Sequence, residues 1–336
     1  MPQSFYEIRG ENFTALSEYM TDRRFNLKWP SVFVLPFWLQ TWWEHFGGDF
    51  QLSLFSVWKE GVLIGIAPLK YQDSTASMLG SPDVCDYLDY IILPGEEKNF
   101  FHTLLAVLEE KGIMRLELSS QRPEAAIFGS FFSEKRFKDW KGSIEKENES
   151  AEIYLPVSWE SYLTALDKKQ RHEVRRKIRK LENETHNYSY KLLSEKDAVI
   201  AFTSQFLALF LQNPDKKEFM TSEMKIFFQQ LIFAANETGL VRFGLLEIEG
   251  RVVAAVLYFD YQDRIYLYNS GYDSEYNSLS VGLLAKIFCI RDSIERGKQV
   301  FDFLKGREIY KTRLGGKTVP IYKVTLEKAA PPIEGV

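Results

Sequence analysis

Residues 301–311 read Phe301-Asp302-Phe303-Leu304-Lys305-Gly306-Arg307-Glu308-Ile309-Tyr310-Lys311. Two acids, a tyrosine and two lysines here follow or interrupt an apolar strand. Such groups can take up, give back and hold protons. Asp302 lies inside the apolar run. It either pairs with a cation or a backbone donor, or it faces a cleft where burial favours its protonated form.

A second segment leads towards it. Arg264 to Asp273 reads as an aromatic-rich strand that runs through Tyr268, Asn269, Ser270 and Gly271 into a polar loop. Glu275 to Gly282 follows, and a helix then starts, with Ser280 suited to cap it. A strand, a turn of small residues and a helix N-terminus together present backbone N–H groups and a favourable dipole to phosphate.

Several other chemistries find no support. Gly315-Gly316-Lys317-Thr318 looks like the end of a phosphate-binding loop, but Lys311 stands where that motif needs glycine. Val319 and Pro320 then open a strand where the motif needs a helix. There is no GxGxxG fingerprint and no GxSxG elbow. His45, His102, His172 and His186 lie on separate elements without ligand spacing, so no metal is expected. Cys85 and Cys289 lie far apart, which gives no disulfide framework and suits a cytoplasmic protein.

An internal repeat organises the elements. Leu54–Gly65 and Phe243–Ala254 each read as apolar run, Glu-Gly, apolar run, which predicts a β-hairpin. Each is followed by a helix with a glycine stop, 100–111 before Gly112 and 283–296 before Gly297. A strand with one acid comes next, and Glu117 and Asp302 fall at the same step. The pattern predicts an α+β chain of two similar units, 1–150 and 151–330, jointed at the polar stretch 146–150. Helices fill the segment between the copies, including 199–211 and 224–236.

The 336 residues carry a net charge of −4, which by itself points to no polyanionic partner. That total is uneven: residues 1–150 sum to −7 and the remainder to +3. Much of the difference sits in Lys168–Lys180, with eight basic residues and one acid. Leu163, Leu166, Val174, Ile178 and Leu181 recur around it at helical spacing, so a basic amphipathic helix is expected over 160–185, capped by Ser158. It is either a solvated face or a surface for an anionic substrate. Aromatics reach 15%, and those of Trp42-Trp43 and Tyr266/Tyr268 are expected to line clefts. No apolar run is long enough to span a bilayer, and no signal peptide is read at the N-terminus.

In Trp38–Gly47, Arg171–Leu181, Tyr268–Gly271, Phe301–Gly306 and Glu308–Lys311, taken in order, the sequence resembles the GNAT-fold acetyltransferases of the CelD-like, FemAB-related group. The resemblance implies tandem GNAT-like units with mixed, mostly antiparallel sheets flanked by helices. It implies transfer of an acyl group from an acyl-CoA-type thioester to an amine or hydroxyl of a small-molecule, sugar or cell-envelope acceptor. It also implies that the donor's pyrophosphate sits at the turn Asn277–Leu283, with Ser280, Val281, Gly282 and Leu283 as contacts. Of the family's glycine-rich pattern only Gly282 stands there, which leaves an aminoacyl-tRNA donor, or a binding protein without catalysis, as alternatives.

On this reading, backbone N–H groups at Tyr268, Asn269 and Ser270 polarise the donor carbonyl. Asp302 or Glu308 takes the acceptor's proton, Tyr310 protonates the leaving group, and Lys311 holds an anionic group. Trp43, Asp86, Asp89 and Tyr90 are the candidate acceptor contacts.

Overall fold

Glu60-Gly61 and Glu249-Gly250 turn the two hairpins with successive positive φ angles, 50° and 82°, then 52° and 79°. Two left-handed residues in sequence match the right-handed twist of the strands they join, and glycine takes the second at no steric cost. The computed structural model describes residues 5–132, 137 and 139–329. The chain divides into two compact units, Met1–Asn148 with Pro320–Val336, and Glu149–Val319.

The first unit runs β1 (Tyr6–Gly10), α1 (Phe13–Thr21), α2 (Pro36–Phe46), β2 (Gln51–Lys59), β3 (Val62–Gln72), β4 (Thr75–Met78), the two-residue β5 (Ile91–Ile92), α3 (Glu97–Glu110), β6 (Arg115–Gln121) and α4 (Ala126–Ser130). Its strands pair in the order β1-β2-β3-β4-β6. All of these pairs are antiparallel except β4/β6, which runs parallel over Thr75–Ser77 and Arg115–Glu117. The parallel step needs a crossover, and α3 supplies it. Phe100, Phe101, Leu104, Leu105 and Leu108 give α3 a buried apolar face.

The chain leaves this unit within β7 (Trp140–Tyr154). There follow α5 (Trp159–Ala165), α6 (Lys168–Glu184), β8 (Tyr188–Leu193), α7 (Lys196–Phe210), α8 (Pro214–Phe219), α9 (Ser222–Glu237), β9 (Val241–Ile248), β10 (Arg251–Tyr261), β11 (Arg264–Tyr272), α10 (Val281–Glu295), β12 (Val300–Lys305), α11 (Ile309–Arg313) and β13 (Lys317–Lys328). The second unit's strands are ordered β7-β12-β11-β10-β9-β8. Again one pair is parallel, β11/β12, over Arg264–Tyr266 and Val300–Asp302, with α10 as the crossover.

The last acid of each parallel pair, Glu117 or Asp302, closes the pairing, as the repeat predicts. The strands that flank β6 and β12 are exchanged along the chain. Tyr322–Glu327 of β13 pairs with β6, whereas Ser150–Tyr154 of β7 pairs with β12. Residues from Pro320 onward therefore group with the first unit, where the sequence reading assigned 151–330 to the second.

Two local features differ from the sequence reading. The stretch 146–150 is no turn. Its polar residues form the middle of β7, a strand largely open to solvent before Ser150. The basic helix is two helices. Leu166 is buried with extended backbone, and the Asp167 side chain caps a fresh start by accepting from the Gln170 N–H at 2.8 Å.

Helix α7 packs hard on β11. A Cβ added at Gly271 would stand 2.4 Å from the Phe210 backbone nitrogen. Backbone cannot step aside as a side chain can. Gly271→Ala should therefore lower stability by about 3 kcal/mol in urea denaturation, the upper end of overpacking costs. Wild-type stability in that variant would show that α7 is not held this closely.

Candidate functional site

Three neighbouring strands meet at one cation. The Arg264 guanidinium on β11 donates to Glu152 on β7 at 2.6 Å and to Asp302 on β12 at 2.8 Å. Glu152 and Asp302 are register partners and both are buried. Two carboxylates face to face repel each other unless a cation lies between them. The other oxygen of Asp302 accepts the Leu304 N–H at 2.8 Å. Leu304 takes a left-handed φ of 62°, and the β12–β7 register shifts between Asp302 and Lys305. Asp302 thus ends the ladder and turns the chain. Both its oxygens are engaged and the side chain is fully buried, so the geometry gives it the part of a strut.

Beyond Tyr266 and Asp302, β11 and β12 are no longer paired. Tyr268 is the extra residue of a β-bulge, since Asn269 pairs with Leu257 and Leu267 with Tyr258. A bulge bends its strand and re-aims the residues beside it. Here it carries Tyr268, Asn269 and Ser270 away from β12. The Tyr268 ring stacks on Phe228 at 5.6 Å, and Tyr266 and Trp42 are buried. Trp42 and Tyr266 therefore belong to cores, where the expectation was a cleft lining, whereas Trp43 and Tyr268 stay partly exposed.

Lys311 secures the turn after β12. Its buried Nζ donates to the carbonyls of Leu304 (3.0 Å), Lys305 (2.5 Å) and Gly306 (3.2 Å) and pairs with Glu308 at 3.0 Å. It is a staple inside the protein, with its donors spent on the chain itself. Glu308 is half-exposed beside it. Tyr310 opens α11 with its ring edge-on to Phe303 at 6.0 Å, and burial pushes its hydroxyl above the ordinary tyrosine range.

A residue missed in the sequence joins this group. Lys286 on α10 donates from Nζ to Ser270 Oγ at 2.8 Å and to the Gly282 carbonyl at 3.0 Å. The same Nζ lies 5.0 Å from the centroid of the Tyr310 ring. Burial lowers its pKa to about 8, partly offset by Glu308. The signal was one charge in the apolar run Leu283–Cys289.

Helix α10 starts where the sequence places it, but Ser280 does not cap it. Ser280 is left-handed (φ 58°, ψ 38°), and no side chain caps the helix. The Ser280 hydroxyl instead accepts from Lys177 Nζ at 2.7 Å, and Lys180 Nζ reaches the Ser278 carbonyl at 2.8 Å. Two cations from α6 therefore stand over the first turn of α10, next to Val281, Gly282 and Leu283. The Leu283 N–H already bonds the Ser280 carbonyl at 3.0 Å, so it is at Val281 and Gly282, which have no helical carbonyl behind them, that dipole and ammonium groups act together on an anion.

A groove of about 1620 Å³ runs along α5 and α6, lined also by Leu283, Ile287, Arg291, Tyr310 and Arg313. Among the described residues, Lys168, Lys169, Arg179 and Arg313 have no ion-pair partner, whereas Arg176 is held by Glu173 at 2.7 Å.

The remaining candidates lie in the first unit. Trp43 is partly buried on α2, packed against Gly47. Asp86 is partly buried in the loop before β5. Tyr90 is buried against Phe100 and Phe101, its hydroxyl without a hydrogen-bond partner among the described residues. Asp89 accepts backbone N–H groups from Tyr90 (2.8 Å) and Ala126 (3.2 Å). Burial outweighs these bonds and raises its pKa to about 7. Within this unit, a cavity of about 430 Å³ opens where β4 and β6 part, lined in part by Lys70, Ser77, Gly80, Glu117 and Ser119. No group of three or more potential metal ligands occurs among the described residues. Nor is any described helix long and apolar enough to cross a membrane.

The arrangement of a parting parallel pair beside a helix start lies within a fold that known proteins share. Residues 168–312 match the family model of the acetyltransferase (GNAT) domain. The FemX crystal structure superposes with a TM-score of 0.63 at 10% identity, over 95% of this chain and 96% of that one. A conserved protein of unknown function from Bacteroides thetaiotaomicron gives 0.57 at 13%, over 96% and 100%. The C-terminal domain of a putative lysylphosphatidylglycerol synthetase from Agrobacterium fabrum gives 0.54 at 10%, over 83% and 84%. No curated protein matches the sequence. The chain thus has a GNAT-type fold, with the family match lying in 168–312.

Two outcomes follow. Arg264→Leu leaves Glu152 and Asp302 buried without their cation and should cost about 3–5 kcal/mol near neutral pH. The deficit should shrink near pH 5, where the carboxylates take up protons, as read by urea unfolding at both values. For Asp89, a pKa raised on folding means that the folded state binds the extra proton. Its contribution is complete below the unfolded value of 3.8 and is lost as pH rises through about 7. Relative to Asp89→Asn, the wild type should lose on the order of 2 kcal/mol between pH 5 and 8. Parallel stability curves would contradict this.

Proposed function

We propose that the second unit transfers an acyl group from an acyl-CoA-type thioester to an amine or hydroxyl of a small-molecule, sugar or cell-envelope acceptor. The observation that carries the reading is the parting of β11 and β12 beside the first turn of α10. Unpaired strand edges offer backbone groups to an extended chain. Backbone N–H groups around the Tyr268 bulge lie where they can hold a carbonyl and its developing negative charge. The α10 start, with Lys177 and Lys180, suits the phosphates of the donor. Holding both reactants in one site removes the entropy of encounter, which is most of what such a reaction needs. Tyr310, protonated and lining the groove, is placed to return a proton to the leaving thiolate.

A second reading is supported by the unpaired basic residues of the groove. They suit a longer polyanion such as an aminoacyl-tRNA, and one fold neighbour bears the name of a putative lysylphosphatidylglycerol synthetase. The two readings part on which donor binds. Titration calorimetry with acetyl-CoA should give saturable binding that weakens at least tenfold in Lys177→Glu/Lys180→Glu, a change of about 1.4 kcal/mol. If acetyl-CoA fails to bind while tRNA binds with steep loss between about 50 and 200 mM salt, the second reading replaces the first.

A further inference from the structure

We propose that Lys286 is the general base that takes the acceptor's proton during acyl transfer. The assignment rests on the acyltransferase reading and deepens it. Lys286 is a charged residue among the buried positions of α10, and it has no carboxylate partner within salt-bridge distance among the described residues. A buried ammonium without a counter-ion is costly to keep.

The contacts supply no counter-charge to the ammonium. A neutral lysine has two N–H donors and one lone pair, whereas the ammonium has three donors. Two acceptors are present, Ser270 Oγ and the Gly282 carbonyl. The same Nζ lies 5.0 Å from the centroid of the Tyr310 ring, and Tyr310 borders the groove. Ser270 belongs to the segment that leaves β12 beyond the last parallel pair, so Nζ sits where the two strands separate.

The charged and titratable groups around Nζ are Glu308 from the turn after β12, Lys311 and Tyr310 from α11, Lys216 from α8 and Cys289 on the same helix. Glu308 favours the ammonium, and Lys216 and Lys311 oppose it. Burial dominates, in the direction a base working near neutral pH requires. Asp302, the acid the sequence singles out, is fully buried and paired with Arg264.

The step balances. The acceptor amine attacks the thioester carbonyl, and its proton moves to Lys286 Nζ. The C–N bond forms, the C–S bond breaks, and the sulfur leaves with a proton supplied through Tyr310. Lys286 gives its proton back to Tyr310. One acyl group and one proton change places, and no oxidant or reductant is needed.

Two measurements test this on the full chain. The first is NMR titration of the Lys286 side-chain nitrogen in the wild type, where a midpoint near 8 is expected. A midpoint in the ordinary lysine range, above about 10, overturns the assignment. The second is thiol release from acetyl-CoA with hydroxylamine as the probe amine, for wild type, Lys286→Met and Lys286→Arg. The wild-type rate should rise along the Lys286 titration. Both variants should lose about 10²-fold or more and the acid limb of the profile, with acetyl-CoA affinity retained.

A Lys286→Met variant as fast as the wild type, with the same profile, overturns the assignment alone. A wild type that neither binds acetyl-CoA nor releases thiol overturns the acyltransferase reading and this assignment with it. Should the variants fail to fold, the wild-type titration still decides.

Discussion

Arg264 holds two buried carboxylates, Glu152 and Asp302, on the strands beside its own. Removing the cation would leave like charges facing each other inside the sheet. With it in place, β7, β12 and β11 are tied together as far as Asp302 and no further. The second oxygen of Asp302 holds the Leu304 N–H, which forces the left-handed turn that takes β12 away. One ion cluster thus both closes the parallel pairing and opens the space beyond it.

What surrounds that space depends on the same parting. Lys311 spends its donors on the carbonyls that the turn leaves exposed. Tyr310 is thereby set at the start of α11, between the groove and Lys286. On the other side the bulge at Tyr268 moves Ser270 to meet Lys286. The left-handed Ser280 turns its hydroxyl to Lys177, so that α6 is moored to the start of α10 by polar contacts. The apolar stripe of α6 that buries Val174 and Leu181 is thin, which leaves most of its basic face to the groove.

The repeat was legible because hairpin turns and helix stops depend on local chemistry. Glu-Gly turns and the glycines at 112 and 297 adopt the positive φ that their positions require. The equal step of Glu117 and Asp302 was legible for the same reason. The strand exchange between β7 and β13 was not, because nothing local distinguishes two antiparallel partners for the same edge. The site was read in part. Polarity at strand ends points to 268–283 and 302–311, but residue type alone does not show which partners each side chain meets. Asp302 read as a base because Arg264, 38 positions away, cannot be paired with it by spacing. Lys311 read as a ligand contact because its carbonyl partners form only once the turn exists. Lys286 was passed over because one lysine in an apolar helix looks like an exposed position.

The central claim is that the donor lies between the separated ends of β11 and β12, against the first turn of α10. Amide hydrogen exchange with and without acetyl-CoA tests it most directly. The account predicts slowed exchange concentrated in Leu267–Ser270 and Val281–Leu284. Bound acetyl-CoA that leaves those amides unchanged, or protects a different segment, would contradict it.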